Sequence, residues 1–480
     1  MLEVKSHQQV KSLLKQFPSS CQNNLTLSRI VGRSLRRKDQ TVIEFNCNEQ
    51  YSYWLGILIP LYIEKSKRVL VLSQEQKNHI IGIEIPKLQK IGIDINFWDK
   101  DYPSMGDEIW LMDYKLLLES HKKNYLEMAQ IVLAGSEDIN FYLREAMSLE
   151  ITPLDWIRLI NDNPNEKEKL LDFYNKISRR LFSQVASKGG NVRMDCSTIY
   201  EIKALLKTSN NLESSWRALS LIESNESAIW AELNHKSLTW IWHIQPLEPI
   251  NKLEQIIQSN PFILMIENYT KNNFLKPKVK LNLAHNNVKL KRKYKENKIL
   301  LFAPKYQPLP NSEIYEKHIL EQSKRLIIGI NGLTILLIDE ESLLIRVTSQ
   351  LAGEFGKRVT YEKTINDING IICCSSSWWI NNQKRFRSPD QLIVGLLPIA
   401  SLASPLTAAR VEALKRKGRD WFRELLLPEA VNTIAKSIIP LRNNDGRLAI
   451  LDGRLRSRSW GNEFLKNLQP LKELNRLLPN

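Results

Sequence analysis

Short, nearly continuous apolar runs recur along the chain. RVLVLS (68–73), EIWLMD (108–113), QIVLAG (130–135) and PFILMI (261–266) occupy the first half, and LTILLID (333–339), GIICCS (370–375), QLIVGLLP (391–398) and RLAILD (447–452) the second. Runs that do not alternate with polar residues mark strands covered on both faces, as in a parallel sheet. Longer segments of helical period separate most of them, as crossover connections require. The pattern predicts an α/β fold with two such sheets. TVIEF (41–45) reads as a further buried strand, and the residues leading to Pro60 as the start of an apolar helix. LTWIWH (238–243) alternates instead, which fits a half-buried strand.

Two stretches break this rhythm. ITPLDWIRLIND, EKEKLLDFYNKISRRLFSQVA and TIYEIKALLKTSNNLESSWRALSLIE, within 150–225, carry apolar residues at 3.6-residue spacing without a strand signal, so a helical insertion is expected there. Residues 276–298, KPKVKLNLAHNNVKLKRKYKENK, hold nine Lys or Arg against one Glu and read as a junction between the two α/β halves. This strip is either a solvated linker or a phosphate-contacting surface, since clustered cations release counterions from a nucleic acid backbone.

Composition sharpens the picture. A chain of 480 residues has room for about two to four domains, and 43% hydrophobic residues can fill large cores. The formal net charge of +16 favours a polyanionic partner, nucleic acid before membrane surface. The five cysteines (Cys21, Cys47, Cys196, Cys373 and Cys374) lack CxxC spacing, which argues against a disulfide framework and a Cys-built zinc or iron–sulfur site. The expected compartment is the cytoplasm. The N-terminal MLEVKSHQQVKSLL lacks the apolar core of a signal peptide, and no apolar run reaches the roughly 18 residues needed to span a bilayer.

Familiar catalytic signatures are missing. No GxxxxGK[ST], HExxH, EF-hand loop or GxSxG occurs, and the Gly-Lys pair of GEFGKR (353–358) has the wrong spacing. ILLIDEES (335–342) ends in an acidic pair like a Walker B segment, yet no phosphate loop precedes it at a fitting distance. SSSWWINNQKRFR (375–387) puts tryptophans beside cations, a combination that suits base stacking in single-stranded nucleic acid and equally suits packing at a sheet edge.

The C-terminal residues carry a family pattern. Leu397-Pro398, Pro405-Leu406, Ala409-Arg410, Glu412-Ala413, Gly418, Phe422, Leu427-Pro428, Ala430, Ile450-Leu451-Asp452, Arg454, Gly461 and Phe464-Leu465 follow, in order and spacing, the second motor domain of the DinG/XPD group of superfamily 2 DNA helicases. The chain resembles that family over 225–470, and more weakly over 25–140. The resemblance implies two RecA-like parallel-sheet motor domains with a helical insertion in the first. The implied division is 1–149 and 226–275 for the first domain, 150–225 for the insertion, 276–298 for a basic linker and 299–480 for the second domain.

The resemblance also implies that the motor chemistry has degenerated. The family's phosphate loop falls on 44–52, where Asn46, Asn48, Gln50 and Tyr51 replace the glycines and lysine, and only Ser52 still offers a hydroxyl. Its DEAH box falls on Ala134-Gly135-Ser136-Glu137, and its last motif on 435–442, where only Arg442 could serve as an arginine finger. The expectation is therefore no resident cofactor and no metal, with ATP and Mg²⁺ only if the pocket is a divergent active one, and no iron–sulfur cluster.

Three functions stay open: a helicase-like protein that binds nucleic acid with lost or strongly reduced ATPase activity, as a repair or replication accessory or scaffold; an active ATP-dependent DNA helicase; and a protein–protein interaction scaffold. The expected partners are single-stranded or forked DNA and a repair or replication protein, with no membrane. The expected DNA contacts are Lys291, Arg292, Lys293, Lys384, Arg385 and Arg387, with stacking by Trp378. Replacing 291–293 together with alanine should weaken DNA binding and flatten its salt dependence by about one phosphate contact per charge removed, measured as Kd across a salt series.

Overall fold

The computed structural model describes residues 1–17, 23–45, 53–104, 106–184, 190–207, 212–220, 222, 226–267, 281, 285–290, 297–364, 368–444 and 446–474. The first large sheet has seven strands, in the order 286–290, 41–45, 262–267, 130–133, 68–71, 109–112 and 97–98, all parallel. The second also has seven parallel strands, in the order 359–361, 371–374, 334–337, 391–394, 447–450, 299–302 and 471–473.

Continuous apolar sequence becomes two cores per sheet because successive side chains point to opposite faces. In the first lobe Ile43, Leu70, Leu111, Val132 and Ile263 fill one face, while Val42, Val69, Trp110, Ile131 and Leu264 fill the other. In the second lobe Ile335, Ile372, Leu392 and Leu448 oppose Leu336, Ile371, Ile393 and Ala449. Cys373 and Cys374 are consecutive in one buried strand, so their thiols lie in different cores. Burial pushes the Cys373 thiol up to about 12 and Cys374 well above its ordinary value.

The expected helical insertion at 150–225 is instead a mixed unit that extends to residue 246. Strands Leu149–Ile151, Asn191–Arg193, Ser227–Asn234 and Thr239–Pro246 form a separate four-stranded antiparallel sheet. The two outer strands have only three residues each, too few to show an alternating pattern in the sequence. Residues 227–246, expected in the first motor domain, therefore belong to the insertion, and the chain rejoins the first lobe at helix Ile250–Gln258. The basic strip differs likewise: Asn286–Leu290 is the edge strand beside Thr41–Phe45, with Lys289 reaching Glu44 at 3.4 Å.

The insertion has its own core of tryptophans. Trp156, Trp216, Trp240 and Trp242 are fully buried, with Trp156 packed against the other three. The Trp216 indole donates to the Asp155 carbonyl (3.1 Å) and the Trp240 indole to Ser178 Oγ (2.8 Å). A Thr152–Asp155 capping box starts helix Pro153–Asp162 in this core. The aromatic alternation of LTWIWH thus serves packing. Trp216→Ala should cost the insertion about 3–5 kcal/mol, seen in urea denaturation followed by tryptophan fluorescence.

Candidate functional site

In open parallel sheets ligands sit beyond the carboxyl ends of the strands. In the first lobe the ends of Thr41–Phe45, Phe262–Glu267 and Gln130–Leu133 are neighbours. The loop after the first of these strands carries expected site residues that lie outside the described residues: Asn46, Asn48, Gln50, Tyr51 and Ser52. Lys291, Arg292 and Lys293 also lie outside them.

The helix that follows the 46–52 segment is described, and its first turn is informative. Helix Leu55–Ile63 is capped by Trp54, which contributes no side-chain bond. The amides of a first helical turn are the donors a phosphate would use. Here the Gly56 N–H donates to Asn24 Oδ1 at 2.8 Å, from helix Asn24–Arg37. A Cβ on Gly56 would lie 2.9 Å from Leu27, so glycine is what lets the two helices approach this closely. Nothing in the local sequence signals this cap, because its two partners are 32 positions apart.

After strand Gln130–Leu133 the chain turns through Ala134 and Gly135 into a 3-10 turn at Ser136–Asp138 and then helix Ile139–Ala146. Gly135 has φ +62 and lies against Gln76, whose side chain belongs to the capping box of Ser73. Glu137 is half-buried, and loss of solvent around its carboxyl raises it above the ordinary range although the Lys436 charge opposes this. Behind it Tyr114 and Tyr142 stack at 5.4 Å, and burial pushes the Tyr142 hydroxyl up to about 12.

The opposing wall comes from helix Leu427–Ser437 of the second lobe. Lys436 forms an ion pair with Asp138, and the Asn432 amide donates to the other Asp138 oxygen at 3.4 Å. Lys436 is only 7% exposed. Burial alone would depress its ammonium, but Asp138 and Glu137 outweigh this and hold it above its ordinary value. Nearby, burial and the like charge of Arg410 lower Arg144 to about 10, while Glu429 opposes them. Lys436 and Asp138 escaped the sequence reading because each lies one residue beside a family position (Ala435 and Glu137).

The other expected residues do not gather here. Arg442 is buried in the second lobe, with Nη2 donating to the Leu468 carbonyl at 2.8 Å. Trp378 is half-buried with its ring 6.1 Å from Phe386, while its neighbour Trp379 is fully buried and donates to the Ser437 carbonyl at 3.0 Å. Lys384 and Arg385 are exposed on the turn Gln383–Arg385. Arg387 binds the Ile368 carbonyl and, at 3.2 Å, Asp390; both precede strands of the second sheet, so this cluster lies at the edge opposite the strand carboxyl ends.

The fit to a magnesium nucleotide is poor over the described residues. Ala134 and Gly135 supply no carboxylate, Asp138 is engaged by Lys436 and Asn432, and the half-buried Glu137 feels the charge of the same ammonium. No group of three or more His, Cys, Asp or Glu among the described residues could hold a metal ion.

Two RecA-like parallel-sheet lobes with an insertion in the first make up the architecture, and comparison with known proteins finds the same fold. No protein-family model matches the chain. In sequence it is similar to two proteins named ATP-dependent DNA helicase YoaA: that of Haemophilus influenzae, 30% identical over 134 residues (27% of this chain), and that of Escherichia coli, 34% identical over 123 residues (25%). A Bacillus subtilis protein named 3'-5' exonuclease DinG is 30% identical over 119 residues, 24% of this chain. These matches span only 21%, 19% and 13% of the relatives' own lengths. In structure the chain is similar to Xpd4 of S. tokodaii, with a TM-score of 0.63 at 12% identity over 95% of this chain and all of the other. A second XPD helicase structure gives a TM-score of 0.60 at 12% identity, over 94% and 99% of the two chains. The chain is thus similar in fold to XPD helicase structures across both lobes, and similar in sequence to proteins named YoaA and DinG over about a quarter of its length.

The tertiary cap gives a direct check. Asn24→Ala should destabilise the first lobe by about 1–2 kcal/mol, measured by denaturant unfolding, because the Gly56 N–H loses a buried acceptor.

Proposed function

We propose that this chain is a helicase-like nucleic-acid-binding protein whose ATPase activity is lost or strongly reduced, acting as an accessory or scaffold in DNA repair or replication. The observation that carries this reading is the wall after strand Gln130–Leu133, where Ala134 and Gly135 stand at the DEAH acid positions and Lys436 neutralises Asp138. Phosphoryl transfer depends on metal-bound carboxylates and a lysine aimed at the phosphates, and positioning without that charge recovers little of the rate. The Asn24 cap on Gly56 is consistent with this reading, since together with the Tyr53 carbonyl it engages an amide of the helix's first turn.

The relatives named as DNA helicases and the net charge of +16 support nucleic acid as the partner. Among the described residues no helix is long and apolar enough to cross a membrane, and a cytoplasmic site of action fits these relatives.

ATP hydrolysis by the purified protein, with and without single-stranded DNA, tests the first half of the proposal. The expected result is no DNA-stimulated turnover above background. Stimulated turnover that disappears in Glu137→Ala and Ser52→Ala would instead make the protein an active helicase with a divergent pocket. DNA affinity tests the second half: it should fall steeply between low and physiological salt, and undetectable binding at low salt would leave a protein interaction scaffold.

A further inference from the structure

We propose that the two lobes are held closed by an ionic clasp made of the protein's own side chains, centred on Lys436 and Asp138, so that closure needs no bound nucleotide. This inference deepens the proposed function and rests on the same reading of the cleft.

The clasp joins elements far apart in sequence. Asp138 begins helix Ile139–Ala146 of the first lobe, and Lys436 and Asn432 belong to helix Leu427–Ser437 of the second. The closed arrangement holds two adjacent, half-buried carboxylates, Glu137 and Asp138, and carboxylates drawn together away from full hydration favour a counter-charge. Lys436, itself 7% exposed, supplies it from the other lobe. A cleft that closed on a metal-bound nucleotide would receive its positive charge from the ligand.

Further contacts cross the same seam on the insertion side. Arg193 pairs with Glu412, and Lys417 with Glu248, so helix Pro405–Arg416 of the second lobe lies against strands Asn191–Arg193 and Ser227–Asn234. These outer pairs are about half exposed, and water and salt screen them. They fix how the lobes register and contribute little to holding them. Closure therefore rests mainly on the Lys436–Asp138 pair, whose ammonium is buried.

Small-angle X-ray scattering, with carbodiimide crosslinking of Lys417 to Glu248 read by mass spectrometry, tests this on the full chain. The wild type should show the same radius of gyration and crosslink yield with and without Mg-ATP. Lys436→Met should enlarge the radius and lower the yield by about tenfold, the effect of a 1.4 kcal/mol shift in the opening equilibrium. Its far-ultraviolet circular dichroism should not change. Asp138→Asn, which leaves a neutral side chain of the same shape, should open the lobes in the same direction and serves if Lys436→Met does not fold. A wild type that contracts on adding Mg-ATP would overturn the proposal, as would folded variants with unchanged scattering and crosslinking. Hydrolysis and DNA binding measured on the same samples separate this outcome from the proposed function, which a failed clasp with no turnover and intact binding would leave standing.

Discussion

The central strands of both large sheets are covered by apolar side chains on each face, and this double burial governs where chemistry can occur. Polar groups within such strands would be buried without water, so functional side chains are confined to the loops beyond the strand ends. Change in those loops leaves the cores untouched, and the two lobes keep a helicase architecture at 12% identity to XPD structures. Fold and activity can diverge on this scaffold because they depend on different residues.

The cleft illustrates the point. Its floor retains a motor's geometry: three neighbouring strand ends in one lobe, and a facing helix in the other. Its side chains have other partners. Asn24 caps a helix start, Gly135 packs against Gln76, Lys436 neutralises an acidic turn, and Arg442 bonds to the backbone of its own lobe. These contacts occupy polar groups and space within the fold, which gives each a structural role whatever else the residue contributes.

The insertion shows how short strands mislead. Its helices announce themselves by period, but its sheet is completed by three-residue strands that carry no readable alternation. The tryptophans there are legible in sequence as aromatic and alternating, yet only their burial separates packing from base stacking. Trp378 and Trp379 make the same contrast in adjacent positions, one half-buried and the other enclosed. Likewise, the cations of 384–387 are evident in the sequence, whereas the far edge of the sheet on which they lie is not.

The sequence by itself determined the α/β class, the two parallel sheets, the family resemblance and the absence of carboxylates at Ala134 and Gly135. These depend on local composition and on spacing along the chain, which physical chemistry translates directly into strands, helices and missing ligands. Only the tertiary structure decided which charges meet. Asp138 with Lys436, Asn24 with Gly56 and Arg193 with Glu412 are separated by 298, 32 and 219 positions. Their pairing follows from how sheets and helices stack in space, and no local pattern encodes a contact between elements so far apart along the chain.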